Sequence, residues 1–276
     1  MRPLRPARRL PALRAVVVAT VVLGSVVGLG GCRSDTVRVT FRPEVGDTFR
    51  YEVRVRSTTE IHLTGAEPDV RSDDVLLTAD HTVLEPADDG GVRVEVLLTE
   101  PGTTQRRFVV VFDRAAQLAE VESIEGVPDE LLGSLGIPEI FPAAAGAAPN
   151  APLGPGARWR IDDEVVLPGS PHPARLTGDG RLVELGVVDG ADVARLTTTS
   201  RVEVGAGGGF NGAARLDGVQ ETRYTAVHDL ADGAVRRSSS RTTGTFDLSL
   251  GPPSGTFSDP VSGTLVVLVE SETRRL

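Results

Sequence analysis

The chain has 276 residues, a formal charge of −9 from 38 acidic and 29 basic side chains, one cysteine, and only 4% aromatic residues. Every basic residue is an arginine, which excludes a Schiff-base lysine, a P-loop lysine and a Ser-x-x-Lys nucleophile. The acidic balance supplies no counterion-release term for nucleic acid, and a single cysteine forms no internal disulfide.

At the N-terminus, Arg2, Arg5, Arg8, Arg9 and Arg14 precede an uncharged run from Ala15 to Gly31. This is the layout of a secretory signal. The run is shorter than the ~20 apolar residues of a spanning helix and is interrupted by glycines. The tetrad Leu29-Gly30-Gly31-Cys32 resembles the lipobox of bacterial lipoproteins. The resemblance implies that the Cys32 thiol is acylated and that the chain is cut just before it. It also implies a location on the extracytoplasmic face of the cell membrane. Residues 1–31 carry five arginines and no carboxylates, so the expected mature charge is −14. Stable anchoring takes two or more acyl signals, which the diacylglycerol of that family supplies.

Residues 32–36 read as a lipidated polar tether, after which side chains alternate with period 2. Alternation of this kind marks half-buried strands. It begins at Val37–Phe41 and is clearest over Thr48–Leu63, where Phe49, Tyr51, Val53 and Val55 oppose Arg50, Glu52, Arg54 and Arg56. Further strands are expected at Val75–Leu84, Val92–Thr99, Arg107–Asp113, Arg158–Leu167, Ala174–Leu185, Val193–Val204, Glu221–Asp229, Ala234–Leu250 and Gly263–Arg274. Asp-Gly pairs at Asp89-Gly90, Asp179-Gly180, Asp189-Gly190, Asp217-Gly218 and Asp232-Gly233 predict tight turns. One short helix is expected near 128–135, with Pro128 first, Leu131, Leu132 and Leu135 as a stripe and Gly136 as its stop.

Residues 142–156 have the Pro/Ala/Gly composition of a linker and divide a first β half, 37–141, from a second, 157–276. The halves echo each other. Gly46-Asp47-Thr48-Phe49-Arg50-Tyr51 is matched by Gly156-Ala157-Arg158-Trp159-Arg160-Ile161, and Phe108–Asp113 by Tyr224–Asp229. A period near 110 residues indicates a duplicated domain and not a solenoid. The fold expected is mainly β, in antiparallel curved sheets or half-barrels built from two related halves. The combination of lipobox, Gly-x-x-aromatic opening strand and strand-Asp-turn hairpin resembles a group of uncharacterised actinobacterial-type lipoproteins. More faintly it is similar to the half-barrel LolA and LprG-like carriers, which hold acyl chains between a curved sheet and short helices.

No catalytic constellation emerges. Gly207–Gly212 satisfies Gly-x-Gly-x-x-Gly but lacks a βαβ unit. His62, His81, His172 and His228 are scattered, with Asp80-His81 and His228-Asp229 expected at wet strand ends. Asp73-Asp74, Asp88-Asp89 and Asp162-Asp163-Glu164 lack the regular ligand spacing of a calcium loop. Ser134 sits in the helical segment and Ser238-Ser239-Ser240 reads as a wet strand edge. Trp159, the only tryptophan, reads as a core aromatic matching Phe49. No cofactor or metal is expected, and no site residue beyond Cys32. Three functions stay open: an envelope lipoprotein binding a lipid-like ligand, an interaction module for an envelope protein, and an enzyme with an unrecognised site.

Overall fold

A computed structural model describes residues 36–87, 90–102, 105–116, 118–126, 148–165, 173–205, 209–210, 214–250 and 261–276. The leader with Cys32, the segment expected to be helical at 128–135, and His172 lie outside the described residues. Among the described residues there is no helix long and apolar enough to cross a membrane.

The described chain is a single curved, unclosed antiparallel sheet. Its strands are β1 (Thr48–Leu63), β2 (Asp69–Pro86), β3 (Val92–Thr99), β4 (Arg106–Phe112), β5 (Leu118–Ile124), β6 (Arg158–Val165), β7 (Ala174–Val188), β8 (Ala191–Val204), β9 (Gly209–Phe210), β10 (Ala214–Asp229), β11 (Val235–Leu250) and β12 (Val261–Arg275). Their order across the sheet is β5-β4-β3-β2-β1-β12-β11-β10-β8-β7-β6, with β9 attached to β10. Two meanders therefore meet at the long antiparallel pairing of β1 with β12, from Tyr51↔Arg275 to Leu63↔Gly263.

Both meanders use the same construction. Gly46 N–H donates to Val83 O at 2.9 Å, and Gly156 N–H to Leu182 O at 2.7 Å. The left-handed turn each glycine makes (φ 89° and 82°) is one an L side chain adopts only with strain. A bulge follows at Val83/Glu85 in β2 and at Leu182/Glu184 in β7. Each bulge is spanned by an ion pair, Arg93–Glu85 at 2.8 Å and Arg195–Glu184 at 3.1 Å. Later bulges at Val111/Phe112 and Val227/His228 correspond as well. Bulges pin register because a one-residue slip would turn every side chain to the other face.

The apolar face of the first meander forms the main core: Phe49, Tyr51, Val53, Leu77, Ala79, Val94, Val96, Phe108, Val110 and Phe112 are all buried. Smaller clusters lie under the second meander around Leu182, Ala194 and Leu196 and around Ile161, Leu176 and Val202. The opposite face is ruled by arginine-carboxylate pairs between neighbouring strands, such as Arg54–Asp74 and Arg175–Asp162. Exposed pairs of this kind contribute little stability individually. Their value is in making the charged face unmistakably the wet one.

Several sequence expectations are corrected here. Val37–Phe41 is not a strand but part of a strap, residues 37–46, whose only ladder contact among the described residues is the Val37↔Leu153 bridge. Along the strap, Phe41 N–H bonds to Arg114 O in the β4–β5 turn, and Arg42 N–H to Asp232 O in the β10–β11 turn, both at 2.7 Å. Phe41 packs against Phe49 and Phe112, while Val39 joins the cluster around Leu182. The strap thus ties together the corresponding ends of the two meanders. Asp179-Gly180 and Asp217-Gly218 are not turns but lie inside β7 and β10. Glycine permits a close approach in both places: the Trp159 ring lies over Gly180, and at Gly218 the Thr245–Phe246 backbone of β11 comes nearest, with the Phe246 ring beside it and over Gly244. Strand β5 was not anticipated, because Leu118–Ile124 does not alternate cleanly: its exposed and half-buried residues include Glu120 and Glu122.

Candidate functional site

The register assigns every strand residue to the charged outer face or to the inner face that carries the cores. At the end where the strap crosses, the inner face is closed by aromatic packing. His81 is buried there, 4.8 Å from the Tyr51 ring and stacked on Phe112 at 5.7 Å. Burial pushes its imidazole pKa down to about 3. His228, also buried, has Nδ1 3.0 Å from Gly233 O, and burial lowers its pKa as well. Neither histidine is the wet strand-end residue that its Asp-flanked position suggests. Each sits on the inner face near a turn, where alternation turns it into the core and its aspartate outward or onto the turn: Asp229 instead pairs with Arg236 at 2.9 Å.

Further along the strands the face changes character. In the row through Val55, the neighbours are Ser271, Ser240, Tyr224, Thr198, Gly180 and Trp159. In the next row Ser57 is followed by Val269, Thr242, Thr222, Ser200, Gly178 and Ile161. Thr222 and Thr242 are hydroxyl to hydroxyl at 3.0 Å, and Tyr224 hydrogen-bonds Ser238. Ser238 is buried in a central strand, not at the wet edge its serine run suggests. Beyond this hydroxyl band the face turns apolar again: Leu216, Phe246 and Leu248 are buried, while Ile61, Leu63, Leu265 and Val267 are only partly covered. Val55 and Val75 on the first meander are also half-buried.

A separate cleft of about 240 Å³ lies beside the strap, lined by Val39, Thr40, Asn150 and the β4–β5 turn. It is smaller than the roughly 300 Å³ at which small-molecule pockets begin. None of the strand residues of the partly covered apolar stretch lines this cleft.

Other residues singled out from the sequence are dispersed. His62 pairs with Glu60 at 2.6 Å on the outer face. Asp74 is bound by Arg54 and Arg56, and Asp162 by Arg175; in each the arginine hydrogen bond holds the carboxyl below its ordinary range. Among the described residues no group of three or more His, Cys, Asp and Glu is placed to hold a metal. Of Gly207–Gly212, only Gly209 and Phe210 are described, as β9. Ser134 lies outside the described residues. Trp159 occupies the position in β6 that Phe49 occupies in β1, since Trp159↔Gly180 matches Phe49↔His81.

Sequence reasoning did not identify the hydroxyl band. A signal was present in Thr197-Thr198-Thr199-Ser200, which places two hydroxyls on the inner face of a strand where the first half has Val96 and Leu98. Comparison by sequence finds no matching family model and no matching curated protein.

Proposed function

We propose that the protein is a non-catalytic cell-envelope lipoprotein, tethered to the outer face of the membrane through Cys32, whose open sheet receives an apolar or amphipathic ligand. The observation that carries this reading is the far part of the inner face. There Ile61, Leu63, Leu265 and Val267 are only partly covered, beside the hydroxyl band. An antiparallel sheet with one charged face normally buries the other, and apolar side chains left half open on that face are the surface an acyl chain would cover. A curved, unclosed antiparallel sheet is also the scaffold that the similarity to acyl-chain carriers implies.

The test is native mass spectrometry with lipid extraction on the soluble form beginning after Cys32, purified from its own host. A near-stoichiometric acyl-chain species is the expected result; a clean apo mass across several preparations would count against it. Anchoring is tested separately by Cys32→Ala, which should move the full chain from the membrane to the soluble fraction.

A second reading, a protein-interaction module, draws on the outer edges of β5 and β6, which have no partner strand among the described residues. Open edges invite strand addition. A clean apo mass, together with a co-purifying envelope protein that crosslinks to β5 or β6, would favour it.

A further inference from the structure

The two meanders share one register, so their inner faces can be compared residue by residue. Val96↔Phe108 in the first corresponds to Thr198↔Tyr224 in the second. Phe49↔His81 and Tyr51↔Ala79 correspond to Trp159↔Gly180 and Ile161↔Gly178. Leu98, paired with Ala79, corresponds to Ser200, paired with Gly178. In the first meander these positions make a closed apolar core with His81 stacked inside it. In the second, valine is replaced by threonine, leucine by serine, phenylalanine by tyrosine, and histidine and alanine by glycine. The backbone plan is kept while the packing is reduced to a small cluster of Ile161, Leu176 and Val202 with Trp159 against it, and hydroxyls stand beside that cluster.

The glycines are required by this arrangement. A Cβ on Gly180 would overlap the Trp159 indole, and one on Gly178 would lie 2.1 Å from Thr199 O and 2.8 Å from Ser200 Cα in the backbone of β8. Trp159 therefore lies on the sheet itself. Its Nε1–H and the Thr198 hydroxyl are both buried without a hydrogen-bond partner among the described residues. They flank Gly180, which pairs with Trp159 on one side and Thr198 on the other. Buried polar groups are nearly always satisfied, and an unmet one costs about 1–3 kcal/mol. A pair of unmet groups in one row points to an oxygen from outside the chain.

We propose that Trp159, Thr198, Ser200 and Tyr224, over Gly178 and Gly180, form a hydrogen-bonding subsite for a neutral hydroxyl-bearing ring, of the chemistry of a sugar. The proposal rests on the reading of the inner face as the ligand-binding face. No charged side chain occupies the row through Trp159, Thr198 and Tyr224, whereas recognition of phosphate or carboxylate calls for arginine or an equivalent charge. Indole N–H and hydroxyl groups suit neutral oxygens, and Trp159, which is only partly buried, supplies an aromatic ring for the C–H side of a sugar ring to pack on. Such a ring could be the head group of a lipid lying along the apolar stretch, or a free saccharide.

Trp159 is the only tryptophan, so its emission reports on the site. The full chain, in a sugar-free detergent, is titrated with a monoglucosyl diacylglycerol, the same diacylglycerol without sugar, and free glucose. The comparison variant is Thr198→Val, which restores the side chain of Val96 and keeps the volume. The expected result is that the glucolipid shifts Trp159 emission and binds about tenfold more weakly to Thr198→Val, while sugar-free diacylglycerol binds both proteins equally. The same Thr198-dependent response to glucose alone would also support the subsite and assign it to a free saccharide. Equal binding of both lipids to both proteins, with Thr198→Val merely raising the melting temperature, would overturn the subsite in favour of a held water and leave the ligand-binding face standing. Binding of none of the three probes would remove the subsite and the ligand-binding reading together.

Discussion

Gly180→Ala tests whether Trp159 is held on the sheet by the missing side chain beneath it. The backbone at Gly180 is not left-handed, so alanine is conformationally permitted, but its Cβ would overlap Cε2, Cζ2 and Nε1 of the indole. A rigid fused ring cannot yield locally; it must lift as a body. Trp buries about 150–250 Å² when fully packed. Re-exposing roughly a third of that, about 70 Å², costs about 1.7 kcal/mol at about 25 cal/mol per Å². Loss of unfolded-state freedom on replacing glycine returns about 0.4–1 kcal/mol. The net expectation is a destabilisation of about 1 kcal/mol, with the Trp159 emission maximum moving to longer wavelength. Urea unfolding followed by Trp159 fluorescence measures both quantities in one experiment. Gly186→Ala, where a Cβ meets nothing within 4 Å, is the control and should be neutral or slightly stabilising. Unchanged emission and wild-type stability in Gly180→Ala would refute the placement of the ring.

Three other substitutions or conditions have defined outcomes. Phe41→Ala removes the strap's anchor between Phe49 and Phe112 and should cost about 3–5 kcal/mol; faster hydrogen exchange of the Phe41 and Arg42 amides would follow from the freed strap. Gly233→Ala places a side chain at φ 75° against the backbone of Thr40 and Phe41, which combines strain with a clash and should cost about 3 kcal/mol by denaturant unfolding. Acid stability should be set largely by His81, whose folded-state pKa of about 3 lies below its ordinary 6.5. The unfolded chain then binds the extra proton, so stability falls as pH drops through that interval, by up to about 5 kcal/mol, and levels off below it. Thermal melts of His81→Phe should show a shallower acid limb, with His228 still contributing in the same direction.

Much of the strand pattern could be read directly because one face of nearly every strand is charged. Thr48–Leu63 and Val92–Thr99 coincide with β1 and β3, since arginine and glutamate alternate there with valine, leucine and aromatics. The repeated Gly-x-x-aromatic opening likewise marked two positions that share one hydrogen-bonding plan, Gly46 with Val83 and Gly156 with Leu182. Reading was weaker where a residue's use depends on a distant partner. Gly180 and Gly218 resemble turn glycines locally; what calls for glycine inside the strand is the Trp159 ring from β6 in one case and the close backbone of β11 at Thr245 in the other. His81 and His228 look like surface residues beside aspartates, and only the packing of Phe112 and the β10–β11 turn around them makes them buried.

Alternation, the Asp-Gly turns at Asp189 and Asp232, and the internal echo are local properties of the chain, and by themselves they determined an antiparallel β protein of two related halves. Pairing of β1 with β12 brings residues near position 50 beside the C-terminus, and no local pattern encodes that choice; it follows from how two meanders cover each other's edges. The strap's path depends in the same way on two turns distant in sequence, at Arg114 and Asp232. The difference between a packed first half and a hydroxyl-lined second half is written in the sequence residue by residue. It became visible only when tertiary register showed which residue stands where its counterpart does, because the meaning of a threonine on a strand is set by the neighbours across the sheet.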